Sequence, residues 1–269
     1  MFAVLLIFQM KTFTLKSELI SYLNGIRKDK IVSFIPTMGC LHEGHLSLIQ
    51  KAKQSSDIVV CSIFVNPTQF NNPSDLEKYP RTTESDINIL TEKKCNILYL
   101  PEASDLFVEN EKVKQFDFDG LDKYMEGDRR KGHFDGVSTI VEKLFKIVNP
   151  EKSFFGEKDL QQLQIMKYIS KKLQLSIEII GVPTFREKSG LAMSSRNKLL
   201  SKTDLEKSCL VYNTLRFVKD NSPKLGILEL KKKAIQKFSI QSALELEYLE
   251  IASLASLNPI DKLLEKDKN

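Results

Sequence analysis

The sequence contains few cysteines, and their spacing indicates neither a metal cluster nor a disulfide framework. Its four cysteines, Cys40, Cys61, Cys95 and Cys209, form no CxxC pair. Zinc sites and small disulfide scaffolds need such short, repeated spacings. We therefore expect a reduced, cytoplasmic protein with no structural metal.

Long hydrophobic runs are also absent. The single apolar run, residues 2–8 (FAVLLIF), is too short to span a bilayer, and it has neither a preceding basic residue nor a following small-residue cleavage site. We expect no membrane span and no signal peptide. Met10 offers an alternative start, which would make residues 1–9 an upstream extension, and both starts stay open.

Repeats and low-complexity tracts are missing as well, and the composition excludes several classes of protein. With 42% hydrophobic and 28% charged residues among 269, the chain is not disordered, collagenous or coiled-coil. Lys and Arg exceed Asp and Glu by 40 minus 35, a net charge of +5. This balance suits an anionic small molecule as well as a nucleic acid, so charge alone does not decide the function.

Short apolar runs alternate with segments of helical period, which favours an α/β domain with a parallel sheet. Strands buried on both faces lose polar alternation, and residues 31–36, 58–65, 97–100, 153–155 and 177–182 have this character. Apolar stripes of helical spacing lie between and after them, and we interpret them as core rather than as cofactor-binding surfaces. They comprise Val137, Ile140, Val141, Leu144, Phe145 and Val148, then Leu160, Leu163, Met166, Ile169 and Leu173.

The pattern changes after Pro183 and predicts a smaller second domain. Two Lys- and Leu-rich helices, 203–220 and 227–238, precede one strand-like stretch, 246–251 (LEYLEI). We predict a first domain over 1–183 and a second over 184–269, with residues 183–195 as the joint.

The segment 36–52, PTMGCLHEGHLSLIQKA, leads from the first predicted strand into a helix. His42, Gly44 and His45 fall at the helix N-terminus, where free backbone N–H groups and the helix dipole favour an anion. The two imidazoles could then donate hydrogen bonds to a triphosphate. The alternatives are that both histidines simply cap the helix or form part of a metal site, for which His133 is the only further histidine.

Two further polar segments follow the same logic. FGEKDLQQLQ (155–164) again joins a strand end to a helix start, with Lys158 suited to neutralise phosphate and Asp159 to cap the helix or face a ribose hydroxyl. GLAMSSRN (190–197) offers hydroxyl and guanidinium donors in a loop that could close on polyphosphate. Each segment alone is ordinary surface chemistry, and only their combination indicates a site.

With these segments in view, the sequence resembles the pantoate–β-alanine ligase (pantothenate synthetase) family of the HxGH nucleotidylyltransferase superfamily. The similarity extends over PTMGCLHEGH (36–45), SIFVNPTQFN (62–71), DLEKYPRT (75–82), KGHFDGVSTIVEKLF (131–145), FFGEKDLQQL (154–163) and PTFREKSGLAMSSRN (183–197). An HxGH motif alone would leave many nucleotidyl transferases open, whereas VNPTQF and GEKDxQQL narrow the resemblance to this ligase.

The resemblance implies a Rossmann-like N-terminal domain and a C-terminal α+β lid, in a homodimer that uses ATP and Mg²⁺. It implies that pantoate reacts with ATP to give pantoyl adenylate, which the amine of β-alanine converts to pantothenate. It also implies that His45, His42 and Lys158 are catalytic, and that Gln69, Gln162 and Asn66 hold pantoate and the amine. The ATP site implied comprises Met38, Gly39, Cys40, Leu41, His42, Glu43, Gly44, His45, Gly156, Glu157, Lys158, Asp159, Phe185, Met193, Ser194, Ser195 and Arg196.

Several positions depart from the family pattern. Phe185 and Cys40 replace smaller residues, and Lys131 replaces a proline before His133, which we leave outside the catalytic set. The segment after 246–251 is shorter than the family pattern, so we expect a lid that lacks a strand. The alternatives are another adenylyl or cytidylyl transferase, which would not need Gln69 and Gln162, and a nonenzymatic nucleotide- or RNA-binding module. The scattered lysines do not favour the latter, and we expect no nucleic-acid or membrane partner.

Overall fold

The computed structural model describes residues 8–241 and 244–263, so the predicted extension at residues 1–9 lies almost wholly outside the described part. One six-stranded sheet dominates this part, with all strands parallel in the order β1-β4-β3-β2-β5-β6. The strands are β1 (Lys11–Phe13), β2 (Val32–Thr37), β3 (Ile58–Ile63), β4 (Ile97–Tyr99), β5 (Lys152–Gly156) and β6 (Glu178–Val182).

Helices cover both faces of the sheet and continue beyond it. None of the helices in residues 8–241 and 244–263 has the length and apolar character needed to cross a bilayer. They are α1 (Lys16–Ile26), α2 (Glu43–Lys53), α3 (Pro73–Lys78), α4 (Thr83–Glu92), α5 (Ala103–Leu106), α6 (Met125–Arg129), α7 (His133–Val148), α8 (Leu160–Lys172), α9 (Lys202–Asn221) and α10 (Ile227–Ser239).

The central strands form because their side chains are buried on both faces of the sheet. Successive residues of a strand point to opposite faces, so Phe34 packs with Phe145 of α7 while Ile35 packs on the other face with Ile49 of α2. A parallel sheet covered on both faces needs such continuous apolar runs. This burial confirms the predicted α/β class.

The five predicted strands are confirmed, with ends that shift by one or two residues. The helical segments 137–148 and 160–173 are confirmed as α7 and α8, and the two Lys- and Leu-rich helices as α9 and α10. The interpretation of the second stripe as core is wrong at Leu160, which is 38% exposed because it begins α8 at the edge of the cavity. β1 was not predicted, because its three residues, KTF, carry one apolar side chain and pair only with β4 at the edge of the sheet.

The predicted strand at 246–251 is wrong, because these residues have no neighbouring strand to pair with in the described part of the chain. A single antiparallel bridge joins Ala252 to Pro259 nearby. The segment instead contacts helices: Tyr248 donates to Oε1 of Glu126 at 3.0 Å, and Lys231 of α10 pairs with Glu250 at 2.9 Å.

The topology places one crevice at the centre of the sheet. From β2 the chain continues to β3 and β4 on one side, whereas β5 and β6 lie on the other side. The segments that follow β2 and β5 therefore diverge at the carboxyl ends of two adjacent strands. Ligands of doubly wound sheets bind at such switch points.

Candidate active site

A cavity of about 660 Å³ opens at the carboxyl ends of β2 and β5. All three polar segments selected from the sequence contribute to its lining. The predicted residues that line it are Met38, His42, Gly44, His45, Asn66, Gln69, Gly156, Lys158, Asp159, Gln162, Phe185, Met193, Ser194, Ser195 and Arg196. The predicted ATP-site residues Gly39, Cys40, Leu41, Glu43 and Glu157 are not among the lining residues.

The two histidines of the HxGH motif cap helix α2. His42 is the N-cap residue, and its Nδ1 accepts a hydrogen bond from the backbone N–H of Gly44 at 3.1 Å. Nδ1 of His45 accepts from the backbone N–H of His42 at 3.3 Å. The capping interpretation is therefore correct, and it coexists with exposure of both rings to the cavity.

These hydrogen bonds define the protonation state of both rings. A nitrogen that accepts a hydrogen bond carries no proton, so in each neutral ring the proton is on Nε2. Burial lowers the pKa of His45 to about 3, with further lowering by His42 and Lys158. Burial likewise lowers the pKa of His42 to about 4, with Lys158 and Lys198 adding to the effect. At neutral pH both imidazoles are uncharged Nε2–H donors.

Gly44 is required by the ring of His42. A Cβ at this position would lie 2.8 Å from Cε1 and 2.9 Å from Nδ1 of that imidazole. A side chain at Gly44 would therefore displace the cap and the ring together.

Several backbone N–H groups at and just before the start of α2 already have partners within the protein. The N–H groups of Cys40 and Leu41 donate to Oδ2 and Oδ1 of Asp86, both at 2.8 Å, and Gly44 donates to His42. These three N–H groups donate within the protein and are not free for an anion. Asp86, which lies in α4, was not selected from the sequence.

Cations surround the histidine pair. Lys158 follows β5, and its Nζ lies 2.9 Å from Oδ1 of Asp159. Lys198 is a further cation that was not predicted, and its charge lowers the pKa of His42. Burial of two uncharged imidazoles beside two ammonium groups makes this end of the cavity electropositive, which suits a polyphosphate.

The SSRN loop (residues 194–197) contacts the rest of the cavity wall through two of its side chains. Ser195 Oγ donates to the carbonyl of Cys40 at 3.0 Å, in a buried contact. Arg196 donates from Nε and Nη2 to the two carboxylate oxygens of Asp75, at 3.0 and 2.8 Å, and its guanidinium stacks over Tyr79 at 5.3 Å. The pKa of the Asp75 carboxyl is lowered, chiefly by its hydrogen bonds to Arg196.

Phe185 and Met193 face each other across a short two-stranded turn. The backbone N–H of Met193 donates to the carbonyl of Phe185 at 3.1 Å, next to a bridge between Arg186 and Ala192. The ring of Phe185 is 43% exposed and forms part of the cavity wall.

Gln69 and Asn66 also line the cavity and are linked to each other. Asn66 Nδ2 donates to Gln69 Oε1 at 3.2 Å and to the Gly136 carbonyl at 3.2 Å, while its Oδ1 accepts from Thr68. Gln69 Nε2 approaches Met38 Sδ at 3.0 Å, a weak acceptor. Asn66 is thus largely committed to internal partners, whereas the Gln69 amide can exchange its sulfur contact for a ligand.

The neighbouring glutamines of α8 differ in environment. Gln161 is 5% exposed and holds the segment before α6, since its Nε2 donates to the carbonyls of Leu121 and Tyr124, both at 2.8 Å. The Gln162 amide has no hydrogen-bond partner among the described residues and lines the cavity. Of the two, Gln162 is the one available to a ligand.

His133 lies in the site, although the sequence argument left it out. Its Nδ1 is 2.7 Å from the Gln69 carbonyl, and Nη1 of Arg130 is 3.3 Å from its Nε2. Because the arginine can only donate, Nε2 accepts and Nδ1–H donates to Gln69. Nearby, the Lys131 carbonyl accepts a hydrogen bond from Nδ2 of Asn71 at 2.7 Å.

Part of the α7 stripe forms an apolar wall. The six residues were interpreted as core, and burial confirms this, since each is at most 5% exposed. Four of them, Val137, Ile140, Val141 and Leu144, also line the cavity beside Phe64 and Phe155. The cavity therefore has an electropositive half and an apolar half.

Within the described residues, no group of three or more His, Cys, Asp or Glu side chains is placed to hold a metal ion. All four cysteines are described, and none is in a disulfide. Asp159 is the carboxylate beside the electropositive half. A divalent cation here would depend mainly on oxygen ligands brought by a substrate.

Comparison with known proteins gives a consistent result. The sequence model of the family described as pantoate-beta-alanine ligase matches residues 11–268. The chain is 46% identical to the pantothenate synthetase of Flavobacterium psychrophilum over 249 residues, covering 91% of this chain and 88% of the relative. It is 43% identical to that of Christiangramia forsetii over 259 residues, covering 94% and 90%.

Solved structures agree with the sequence relatives. A crystal structure of pantothenate synthetase from Thermus thermophilus superposes with a TM-score of 0.89 at 34% identity, covering 95% of this chain and 91% of that one. A Francisella tularensis pantoate-beta-alanine ligase, complexed with beta-gamma ATP and beta-alanine, superposes with a TM-score of 0.75 at 37% identity, covering 85% and 86%. Family model, sequence and fold lead to one conclusion: this chain belongs to the pantoate-beta-alanine ligase family, enzymes that form a carbon–nitrogen bond.

Proposed function

We propose that this enzyme makes pantothenate from pantoate, β-alanine and ATP in two steps. A carboxylate oxygen of pantoate attacks the α-phosphorus of ATP, and the bond to the bridging oxygen breaks to release pyrophosphate. The amine of β-alanine then attacks the acyl carbon of pantoyl adenylate, loses a proton and releases AMP. The observation that carries this proposal is that the HxGH histidines, Lys158, the SSRN loop and the pair Gln69 and Gln162 line the same cavity.

The electropositive half suits the triphosphate. Nε2–H donors on His42 and His45 and the ammonium of Lys158 would contact the oxygens on which charge builds as pyrophosphate leaves. The imidazoles are neutral before ATP binds, so they act first as hydrogen-bond donors rather than as acids. Arg196 would reach the phosphates from the SSRN loop, with Asp75 as its partner in the free enzyme.

The nucleoside end fits the turn formed by Phe185 and Met193. An adenine ring can pack against the partly exposed Phe185 side chain. The Phe185 carbonyl already accepts from Met193, so a backbone contact to the base would use its second lone pair or the amide N–H. Recognition of adenine through the backbone of residue 185 would not depend on the side chain, so it tolerates phenylalanine in place of a smaller residue.

The apolar half suits pantoate, which carries two methyl groups beside its hydroxyls and carboxylate. Val137, Ile140 and Val141 of α7 would pack against the methyl groups. Gln69 and Gln162 offer donors and acceptors without a charge that would disturb the attacking carboxylate. We propose that Asn66 contributes mainly by holding Gln69, since its own polar atoms have internal partners.

No side-chain nucleophile is needed, because the substrate carboxylate attacks directly. Cys40 is fully buried and is not part of the cavity lining, which supports a packing role. The rate would come from holding the carboxylate, phosphorus and leaving group in line, an effect worth up to about 7–11 kcal/mol in favourable systems. Exclusion of water would protect the adenylate intermediate from hydrolysis.

We propose that Mg²⁺ enters with ATP and that Asp159 is its nearest protein carboxylate. Mg²⁺ in such sites keeps waters and binds substrate phosphates with one or two carboxylates. Bound there, it would neutralise part of the phosphate charge. We also propose the division into residues 1–183 and a lid over 184–269, and a homodimer, whose mass sedimentation would measure.

The deciding experiment is exchange of labelled pyrophosphate into ATP by the purified enzyme. The proposed function predicts exchange that requires pantoate and does not require β-alanine. A different adenylyl transferase would exchange only with another acid or phosphate, and a binding module would not exchange at all. Either result would overturn the proposal.

A further inference from the structure

We propose that Asp86 is a positioning residue that holds the loop before the HxGH helix in the shape the reaction needs. This inference rests on the proposed function of the same cavity and adds a residue to it. Asp86 does not contact the cavity itself, and it acts through the backbone of Cys40 and Leu41.

The carboxylate of Asp86 is buried and fully used. The residue is 1% exposed, and its two oxygens accept from two consecutive backbone N–H groups at 2.8 Å each. Thr82 Oγ1 donates a third hydrogen bond to Oδ1 at 3.1 Å. Burial of a charged group is costly unless hydrogen bonds compensate it, so this arrangement is a dedicated one.

The backbone that Asp86 holds is unfavourable by itself. Gly39 and Cys40 have φ values of +79° and +49°, so two consecutive residues are left-handed, and Cys40 carries a side chain. A Cβ at Gly39 would lie 3.1 Å from Asp86 Oδ2 and 2.8 Å from Ile63, so the loop and the carboxylate fit closely. Strained backbone of this kind persists only where surrounding contacts determine it.

The held loop connects the parts of the site. Met38 lies on one side of it and His42 on the other, and both line the cavity. The carbonyl of Cys40, oriented by the same turn, accepts the hydrogen bond from Ser195 of the SSRN loop. Asp86 thereby sets the position of the histidine pair and the anchor of the SSRN loop together.

A carboxylate is needed because the backbone N–H groups of Cys40 and Leu41 each require an acceptor oxygen from the same side chain. Asparagine has nearly the same shape but only one acceptor oxygen, and its NH₂ group would face a backbone N–H. Asp86→Asn should therefore shift the loop while keeping the volume. A misplacement of about 1 Å remote from the chemistry can cost about a hundredfold in rate.

The test compares Asp86→Asn with Asp105→Asn, a matched control outside the cavity. Oδ2 of Asp105 also accepts a backbone N–H, from Lys16 at 2.7 Å, and a hydroxyl, from Tyr99 at 2.8 Å. We expect Asp86→Asn to lower the rate of pantoate-dependent pyrophosphate exchange by about ten- to a hundredfold and to raise the KM for ATP, with the KM for pantoate unchanged. Asp105→Asn should lower the melting temperature and leave all three values unchanged.

A purely structural role for Asp86 would lower stability without separating ATP from pantoate. A folded Asp86→Asn enzyme with wild-type exchange and wild-type KM for ATP overturns the proposal. So does an equal rise in both KM values. If wild-type enzyme shows no exchange, the proposed function itself fails, which is a different result.

Thr82→Val covers the case in which Asp86→Asn does not fold. Thr82 is the N-cap residue of α4, but its side chain makes no capping hydrogen bond, so the change removes one hydrogen bond to Asp86 and spares the backbone contacts. We expect a smaller loss of exchange, about two- to fivefold, again with the KM for pantoate unchanged. Unchanged exchange in this variant would overturn the proposal.

Discussion

The rings of His42 and His45 lie with centroids 4.1 Å apart at an interplanar angle of 40°, and the backbone N–H of His42 donates to Nδ1 of His45. The backbone of His42 therefore fixes the tautomer of the His45 ring, and the backbone of Gly44 fixes that of the His42 ring. Both rings carry their proton on Nε2. The pair caps helix α2 and at the same time lines the cavity, so capping does not exclude the phosphate contact that we propose.

We predict that His45→Ala lowers pantoate-dependent pyrophosphate exchange by about a hundred- to a thousandfold, the usual cost of removing one donor to a developing charge. The lost cap should cost about 1 kcal/mol of unfolding free energy. Lys158→Ala should lower exchange similarly without the loss of the cap. Exchange assays and urea unfolding measure both effects, and near-normal exchange in either folded variant would contradict the assigned role.

Gly44→Ala should impair the enzyme through the ring of His42. The new Cβ would lie 2.8 Å from Cε1 of that ring, so the imidazole must move. We expect a loss of exchange close to that of His42→Ala. Gly25→Ala in α1 is the control: no heavy atom lies within 4 Å of its added Cβ, so it should raise stability by about 0.4–1 kcal/mol and leave exchange unchanged. Equal kinetics for both variants would show that the ring position does not matter.

The stability of the protein should fall as the pH is lowered from 6.5 towards 4. The pKa values of His42 and His45, about 4 and about 3, lie below the usual 6.5, so in this range the unfolded chain binds protons that the native state does not. Each such proton contributes up to about 1.4 kcal/mol per pH unit. The lowered pKa of His133 acts in the same direction.

Urea unfolding at several pH values measures this slope. His45→Asn keeps an acceptor for the His42 N–H and removes one titrating group, so its slope should be smaller by about one proton. A wild-type slope in this variant would mean that His45 is already protonated in the native state. The lowered carboxylate pKa of Asp75 affects stability only at lower pH, near and below the unfolded value of about 4.

Substitutions of Gln161 and Gln162 should separate effects on pantoate binding from effects on protein stability. We expect Gln162→Ala to raise the KM for pantoate about tenfold, the effect of one lost hydrogen bond to a charged group, with little change in melting temperature. Gln161→Ala should lower the melting temperature, because it leaves the Leu121 and Tyr124 carbonyls without their donor. Gln69→Ala should resemble Gln162→Ala. An unchanged pantoate KM in Gln162→Ala and Gln69→Ala would refute the assignment.

Cys40→Ala should leave exchange within about twofold of wild type and cost about 1 kcal/mol of stability, since only a buried sulfur is lost. Cys40→Val provides the contrast, because a β-branched residue at φ +49° is strongly strained. We expect it to lower both stability and exchange. Abolished exchange in a folded Cys40→Ala enzyme would instead indicate chemistry at the thiol.

The central sheet could be predicted because its strands are continuous apolar runs. The edge strand β1 could not, since KTF gains its conformation only from pairing with β4. The strand predicted at 246–251 shows the converse: a strand-like sequence without a partner strand forms no strand and contacts helices, as Tyr248 does with Glu126.

The site residues that sequence reasoning missed act through tertiary contacts. Asp86 is 46 positions from Cys40, and nothing in its local sequence distinguishes it from a surface aspartate of an amphipathic helix. Lys198 directly follows the SSRN segment, and its effect on the pKa of His42 depends on how the loop folds back. His133 could have been found, because it lies in a segment that carries the family resemblance.

Because β2 and β5 are adjacent, sequence changes in the loops and in the core of this enzyme should affect the site differently. The backbones of the two strands are paired through Ser33 with Lys152 and Phe34 with Ser153, so one interstrand spacing of about 4.8 Å separates the origins of the histidine-bearing and lysine-bearing segments. Loops at the rim can lengthen or change composition without altering that separation. Substitutions in the core, at the Phe34–Phe145 contact, would instead alter the electropositive half of the cavity, because they would move both segments at once.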